Sequence, residues 1–286
     1  MLAIIKSWRF LILRRLTQFG TILLFVGSLH GGWSWFGQPL LRGDLSASFI
    51  LGTIPLADPF AVLQIFFTGH LAKVEVWIGA IIILVFYGLL GGRTWCAWVC
   101  PVNLVTDLAG WLHHHTLPKN LFSLPRNLRY LILLMALLLS AIIGLPAFEW
   151  VSPIGAMHRE ILFGLGLGWT GVLGIFLFDW LVVKQGWCGH LCPLGGFYSL
   201  LGRYAQLRVQ FNASRCTHCG ECGTVCPEPQ VLNLKQLAKD NQVLSGACTN
   251  CGRCIPICPE HSLQFGWRGT QLTNTYYPPQ HHLGEN

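Results

Sequence analysis

The stretch CTHCGECGTVCP, residues 216–227, contains four cysteines in the order C-x2-C-x2-C-x3-C, followed by proline. The same order returns in CTNCGRCIPICP, residues 248–259. Two copies of one spacing, a short distance apart, predict a small unit with an internal repeat. The chain has twelve cysteines in total, so most of them lie in these two runs.

This spacing is the ligand pattern of bacterial two-cluster ferredoxins, in which the fourth cysteine of each run reaches across to the other 4Fe–4S cluster. One predicted ligand set is Cys216, Cys219, Cys222 and Cys258. The other is Cys248, Cys251, Cys254 and Cys226. Structural zinc is the alternative, but zinc sites use cysteine pairs separated by a long spacer and match this pattern poorly.

Composition places the chain among membrane proteins. Of its 286 residues, 52% are hydrophobic and only 11% are charged, whereas soluble domains are about a quarter charged. The mean hydropathy is +0.50. The formal net charge of +7 fits basic cytoplasmic loops, and no basic block interleaved with aromatic residues indicates nucleic-acid binding.

Four apolar stretches are predicted to span the bilayer, which takes about 20 residues each. They are 16–36, 74–90, 128–148 and 161–183. The first is interpreted as a retained signal anchor. A fifth apolar stretch, 49–71, is interrupted by Pro55, Asp58 and Pro59, so we expect an interfacial or re-entrant segment there. The distribution of lysine and arginine predicts a multi-pass protein of the bacterial inner membrane with both termini and the clusters in the cytoplasm.

Two further cysteine pairs follow predicted spans at their cytoplasmic ends. They are Cys96 and Cys100, and Cys188 and Cys192, each in the order C-x3-C-P. Matching positions at one membrane face favour convergence of the four thiols. They could ligate a third metal centre, act as redox thiols or be buried structural cysteines, and the repeat makes the last interpretation the weakest.

The predicted fold is therefore a four-helix all-α transmembrane domain followed by a small α+β ferredoxin-like domain with two clusters. The domain bounds are 1–203 and 204–268, and a polar tail covers 269–286.

These features together resemble the NapH family, the ferredoxin-type quinol dehydrogenase subunits of periplasmic nitrate reductase systems. Supporting stretches are LRRLTQF (13–19), TIPLADP (53–59), GRTWCAWVCP (92–101), PRNLRY (125–130) and GWCGHLCP (186–193). The resemblance covers nearly the whole chain. The two C-x3-C-P elements recur in regulators of nitrous oxide reductase and in copper-handling assembly factors.

The resemblance implies oxidation of quinol from the membrane pool. Electrons would pass to a NapG-like periplasmic ferredoxin-type partner, with a membrane-anchored cytochrome c as a further candidate partner. Two rival functions stay open. One is an assembly or metal-handling protein that uses the C-x3-C-P thiols, and the other is a docking subunit.

Quinol oxidation requires a proton acceptor at membrane depth, where an ionisable residue indicates a functional site. Asp58 and His70 are the favoured candidates, because they flank the proline-interrupted apolar segment and such a segment can line a cavity. Histidine is suited to proton uptake near neutral pH.

Overall fold

The computed structural model describes residues 2–35, 37–116, 121–164, 166 and 168–270, with side chains from residue 8 onward. The part before residue 205 is mostly helical. Its elements are α1 Leu2–Leu29, β1 Ser34–Trp35, β2 Gln38–Pro39, β3 Leu41–Gly43, β4 Ala47–Ile50, β5 Ile54–Ala57, α2 Pro59–Phe67, α3 Val74–Leu90, α4 Thr94–Trp98, α5 Val102–Thr116, α6 Leu128–Ile143, α7 Ala147–Val151, α8 Pro153–Phe163, α9 Gly168–Leu181 and α10 Pro193–Leu201.

Among the described helices, one is long and apolar enough to cross a membrane, over Trp8–Leu29. The predicted first span, 16–36, is thus displaced, because the helix begins at Leu2 and ends at Leu29. Three other apolar helices have 17, 16 and 14 residues: α3, α6 and α9. These are shorter than the roughly 20 residues that a span takes.

The bounds of the later apolar helices have local causes. Helix α6 ends earlier than predicted, at Ile143, because Gly144 adopts a left-handed conformation with φ 71° at its C-terminus. The predicted stretch 161–183 is divided between α8 and α9, because α8 ends at Gly164, where φ is 110°. Only α3 has the predicted bounds, 74–90.

The proline-interrupted stretch 49–71 contains no membrane-spanning helix. Strands β3, β4 and β5 form an antiparallel sheet, in which Ser48 pairs with Leu56. Helix α2 follows and has nine residues, a length of about 14 Å. Its start is determined by sequence: the Asp58 carboxylate accepts hydrogen bonds from the first-turn amides, and Pro59 occupies the first turn. Phe60 of α2 is fully buried against the surrounding helices.

The part after residue 205 is a compact α+β unit. Its elements are β6 Leu207–Phe211, α11 Glu221–Thr224, α12 Leu234–Asp240, α13 Cys254–Ile257 and β7 Leu263–Trp267. Strands β6 and β7 are antiparallel, with Val209 opposite Phe265. The unit packs against the first turns of α1, where the Phe10 and Phe265 rings lie 5.5 Å apart. The predicted polar tail lies outside the described residues beyond residue 270.

Candidate electron-transfer site

The two cysteine runs form loops with the same backbone geometry. The second residue after each leading cysteine, His218 or Asn250, has a φ near +50°. Gly220 and Gly252, which follow the next cysteine, also have positive φ. Asparagine, histidine and glycine are the residues that tolerate this left-handed conformation, so the sequence repeat produces a structural repeat.

Each loop surrounds a cavity together with one cysteine of the other loop. Phe211, Leu234 and Leu263 line the first cavity with Cys216, Cys219, Cys222 and Cys258. Val209, Val231 and Val243 line the second with Cys226, Cys248, Cys251 and Cys254. These are the two sets that the spacing predicts, brought together by the pairing of β6 and β7.

The residues of both cavities fit an iron–sulfur cluster. Soft thiolate donors select such clusters, and hydrogen bonds to the sulfurs stabilise the charge they carry. The His218 amide donates to Cys216 Sγ at 3.4 Å, and the Ser262 amide donates to Cys258 Sγ at 3.3 Å. Burial raises the pKa of Cys248 to about 11. Cluster binding must therefore displace a proton from this thiol.

The four cysteines of the C-x3-C-P motifs also come together. Cys96 lies in α4, Cys100 follows it, and Cys192 caps α10, where its sulfur accepts the Gly195 amide at 3.4 Å. Cys188 Sγ lies 3.6 Å from Thr106 Oγ1. Burial raises the pKa of all four thiols, and that of Cys192 reaches about 12. Charge on neighbouring thiols raises the pKa of Cys100, Cys188 and Cys192 further. Within the described residues, no group of three or more His, Cys, Asp or Glu side chains is placed to hold a single metal ion.

Comparisons with known proteins agree with this geometry. Residues 74–120 and 162–211 match a family described as a 4Fe-4S binding domain, and residues 208–259 match a 4Fe-4S dicluster domain. The ferredoxin-type protein NapH of Escherichia coli K12 is 41% identical over 239 residues, 83% of this chain and 82% of the relative. The methylamine utilization ferredoxin-type protein MauN of Methylorubrum extorquens is 42% identical over 233 residues, 80% of this chain and 78% of the relative.

The chain belongs to the NapH and MauN family of ferredoxin-type proteins. The predicted resemblance to NapH is thus confirmed, and the protein is an iron–sulfur protein of electron transport. MauN of Paracoccus denitrificans is similar to the same extent, with 42% identity over 79% of this chain and 78% of the relative. No solved structure matches the chain.

In this ferredoxin-type protein, the second cluster loop contacts the first C-x3-C-P motif, and Arg93 bridges it to the second motif. Trp98, inside the first C-x3-C-P motif, donates from Nε1 to the Asn250 carbonyl at 3.0 Å. The Asn250 side chain donates to the carbonyls of Leu90 and Leu207 at 3.0 and 2.9 Å. Arg93 donates to the carbonyls of Cys188 at 2.8 Å and Ala247 at 3.1 Å. The cavity of the second set therefore lies in the loop that packs on the first C-x3-C-P motif.

Glu228 is the central ionic group of this junction, and sequence reasoning missed it. Its carboxylate is 2% exposed and pairs with the guanidinium groups of Arg93, Arg126 and Arg129, the last at 3.0 Å. Burial alone raises its pKa, but the three arginines outweigh burial and lower the pKa to about 2. The only sequence signal is its position directly after Cys226 and Pro227. Glu260 has the same position after the second run but is less buried, so the position alone does not identify a buried carboxylate.

The two favoured quinol residues are not brought together. Asp58 and His70 lie at opposite ends of α2. Asp58 is half-buried and accepts a hydrogen bond from the Tyr198 hydroxyl at 3.1 Å. His70 is exposed, and its Nδ1 lies 3.1 Å from Thr68 Oγ1. The two side chains therefore do not line one cavity.

Proposed function

We propose that this ferredoxin-type protein is a quinol dehydrogenase of the bacterial inner membrane, which passes electrons through two 4Fe–4S clusters to a periplasmic nitrate reductase system. One observation carries the proposal. The two four-cysteine cavities each take a cysteine from the other run, and the second is packed on the C-x3-C-P motif at the end of α3. When bound, the clusters accept and donate single electrons.

Membrane insertion is supported by the apolar surface of the helices. Helix α1 has the length of a span, and exposed leucine and isoleucine side chains cover α3 and α6. We propose that α1, α3, α6 and α9 cross the bilayer and that both termini and the cluster unit face the cytoplasm. Short helices such as α9 are accommodated where the bilayer thins or flanking residues reach the interface.

Some residues hold the clusters, and others fix the cluster unit on the helical part of the chain. The eight cysteines of the two runs hold the clusters, in the crossed sets given above. Asn250 fixes the second loop on the membrane domain, and the Arg93–Glu228 pair fixes the segment that directly follows the first loop. The electron acceptor is proposed to be a NapG-like periplasmic ferredoxin-type protein, with a membrane-anchored cytochrome c as a further partner. The similarity to MauN makes a methylamine-utilising system the alternative destination.

Anaerobic iron analysis and EPR spectroscopy of the purified protein, before and after addition of a quinol, test the proposal. We expect about eight irons per chain and reduced-cluster signals after the quinol is added. Eight irons that stay oxidised with quinol but become reduced with dithionite would rule out direct quinol oxidation.

A second candidate function rests on the thiols of the two C-x3-C-P motifs, Cys96, Cys100, Cys188 and Cys192. Two buried cysteines, Cys100 and Cys192, and two half-buried ones, Cys96 and Cys188, lie within range of one another's charge. Such a group is suited to ligating a third centre, exchanging disulfides or handling a soft metal such as Cu(I). Thiol titration and Cu(I) binding with the paired substitutions Cys96→Ser and Cys188→Ser test this. Stoichiometric Cu(I) binding that both substitutions abolish, without loss of iron, would favour metal handling over quinol oxidation.

A further inference from the structure

A large cleft separates α1 and α5 from the cluster unit. Its volume is about 760 Å³, within the range of roughly 300–1,000 Å³ that small-molecule sites occupy. Trp8 and Phe19 of α1 line one wall, and Leu108 and Trp111 of α5 line another. Each of these four side chains is more than half exposed. The cleft therefore opens through an apolar, aromatic rim on the same face of α1 that carries exposed Leu16 and Leu23.

The inner end of the cleft reaches the second ligand set. Cys226 and Arg253 line both the cleft and the cavity of Cys226, Cys248, Cys251 and Cys254. A molecule in the cleft is thus separated from that cavity by a single layer of side chains. Asp58 and His70 do not line the cleft, so neither is placed beside the second ligand set in this way.

The polar groups of the inner wall suit an oxygen-bearing ring. Asp107 is paired with Arg15 at 2.8 Å and with Arg253, and Arg14 lies 3.7 Å away. One carboxylate therefore faces three guanidinium groups. Of the groups that line the cleft, Nε of Arg253 and Oδ1 of Asp107 have no hydrogen-bond partner among the described residues. The unpaired donor favours an oxygen acceptor and the unpaired carboxylate oxygen favours a hydroxyl donor, and a quinol hydroxyl supplies both.

We infer that this cleft binds the quinol, with the ring toward Arg253 and Cys226 and the isoprenoid tail along the exposed face of α1. The inference rests on the proposed function. Oxidation breaks two O–H bonds and releases two electrons and two protons. The oxidant, by chemical class, would be a pair of oxidised 4Fe–4S clusters held by the two cysteine sets, and each cluster would take up one of the two electrons. The protons pass to the imidazole of His114, which also lines the cleft, and from there to water.

Photo-crosslinking tests occupancy independently of turnover. The full-length protein in lipid nanodiscs is labelled with an azidoquinone, and the labelled peptides are identified by mass spectrometry. We expect label in 8–19, 104–114 and 253–257, removed by excess decylubiquinone. Label confined to 58–70, or spread over the apolar helices and unaffected by decylubiquinone, would overturn the inference. The latter result would mean that the cleft holds bilayer lipid.

A stopped-flow experiment tests the same site through its redox readout. Leu108→Trp fills the cleft, and Leu138→Trp makes the same change on α6, at a comparably exposed side chain outside it. We expect decylubiquinol to reduce the clusters at least about tenfold more slowly in Leu108→Trp, with unchanged dithionite-reduced EPR spectra. Equal rates in the two variants would overturn the inference. If wild type is reduced by dithionite and not by decylubiquinol, the proposed function fails, and the crosslinking alone decides whether the cleft binds quinone.

Discussion

At the scale of single residues, Glu228 joins the cluster unit to the helical part of the chain before residue 205. It is a buried carboxylate shared by three guanidinium groups from two separate segments, around residues 93 and 126–129. Removing one member of a buried ionic group leaves uncompensated charge and typically costs about 3–5 kcal/mol. Glu228 should therefore contribute more to docking than any exposed ion pair of the unit.

We predict that Glu228→Gln lowers the midpoint of thermal unfolding at pH 7, because two buried arginines, Arg93 and Arg129, and the half-buried Arg126 lose their counter-charge. The pKa of Glu228 is lowered from 4.5 to about 2, so its contribution is complete above pH 4.5 and is lost as the pH falls toward 2. The difference in unfolding midpoint between Glu228→Gln and wild type should therefore become smaller as the pH falls from 4.5 to about 2. Glu260→Gln, after the second run, is the matched control, and equal losses in both variants would contradict the prediction.

Asp58 illustrates the opposite electrostatic situation. Burial, with a smaller effect of Glu149, raises its pKa to about 7 from an ordinary value of 3.8. A carboxyl group whose pKa is higher in the folded state binds its proton more tightly there. Its ionisation therefore destabilises the fold as the pH rises through 7.

Asp58→Asn should consequently raise the midpoint of thermal unfolding at pH 8 and change it little at pH 4. Asparagine still caps α2 and still offers an oxygen to Tyr198. Differential scanning fluorimetry across this pH range measures the effect. Asp44→Asn, the same change at a half-buried turn, is the control. A variant less stable than wild type at pH 8 would refute the assignment.

At the scale of elements, close packing of β5 against α3 determines where the three-stranded sheet lies. A side chain added at Gly79 would bring its Cβ to 2.9 Å from the Ala57 amide nitrogen and 3.1 Å from the Leu56 carbonyl carbon. These are backbone atoms, so they can yield only if the strand moves. Gly88, on the same helix, meets only a Leu201 methyl group at 3.7 Å.

Gly79→Ala is therefore expected to destabilise the protein by about 1–3 kcal/mol through overpacking. Gly88→Ala should be neutral or stabilising, since alanine favours the helix by up to about 1 kcal/mol. Comparison of the two denaturation midpoints in detergent cancels the shared change in helix propensity. Equal midpoints would mean that α3 and β5 are not packed as described.

At the scale of the whole molecule, the two ligand sets are interlocked. Each run supplies three cysteines to its own cavity and a fourth to the other. Neither cavity is complete unless β6 and β7 have paired. The cluster unit should therefore assemble cooperatively. Loss of the fourth cysteine of one run should affect the cavity that is formed mainly by the other run.

This crossing can be tested with Cys226→Ala and Cys258→Ala. Cys226→Ala should perturb the cluster held with Cys248, Cys251 and Cys254, which lies beside Arg253 and the cleft. Cys258→Ala should perturb the other cluster. EPR spectroscopy at graded reduction, with iron analysis, distinguishes the two, and iron should fall toward about half in each. If Cys226→Ala instead removed the signal that Cys222→Ala removes, each run would bind its own cluster.

Much of the site follows from local sequence. The cysteine spacings, the left-handed positions at His218 and Asn250 and the Asp58–Pro59 helix start are encoded within a few residues, and both ligand sets are predictable from them. The helix bounds are less predictable. The first apolar helix begins among charged residues, and the stretch 161–183 is interrupted at Gly164, because hydropathy reports burial in lipid and not where helical hydrogen bonding ends.

By itself, the sequence determined the iron–sulfur chemistry, since ligand spacing is a property of short segments. Only the tertiary structure decided the rest. It separated Asp58 from His70, placed Glu228 against an arginine 135 residues away and formed the cleft beside Cys226. These arrangements join residues far apart in the chain. Contacts between residues so far apart in sequence depend on how the helices pack, and a local sequence pattern does not predict that packing.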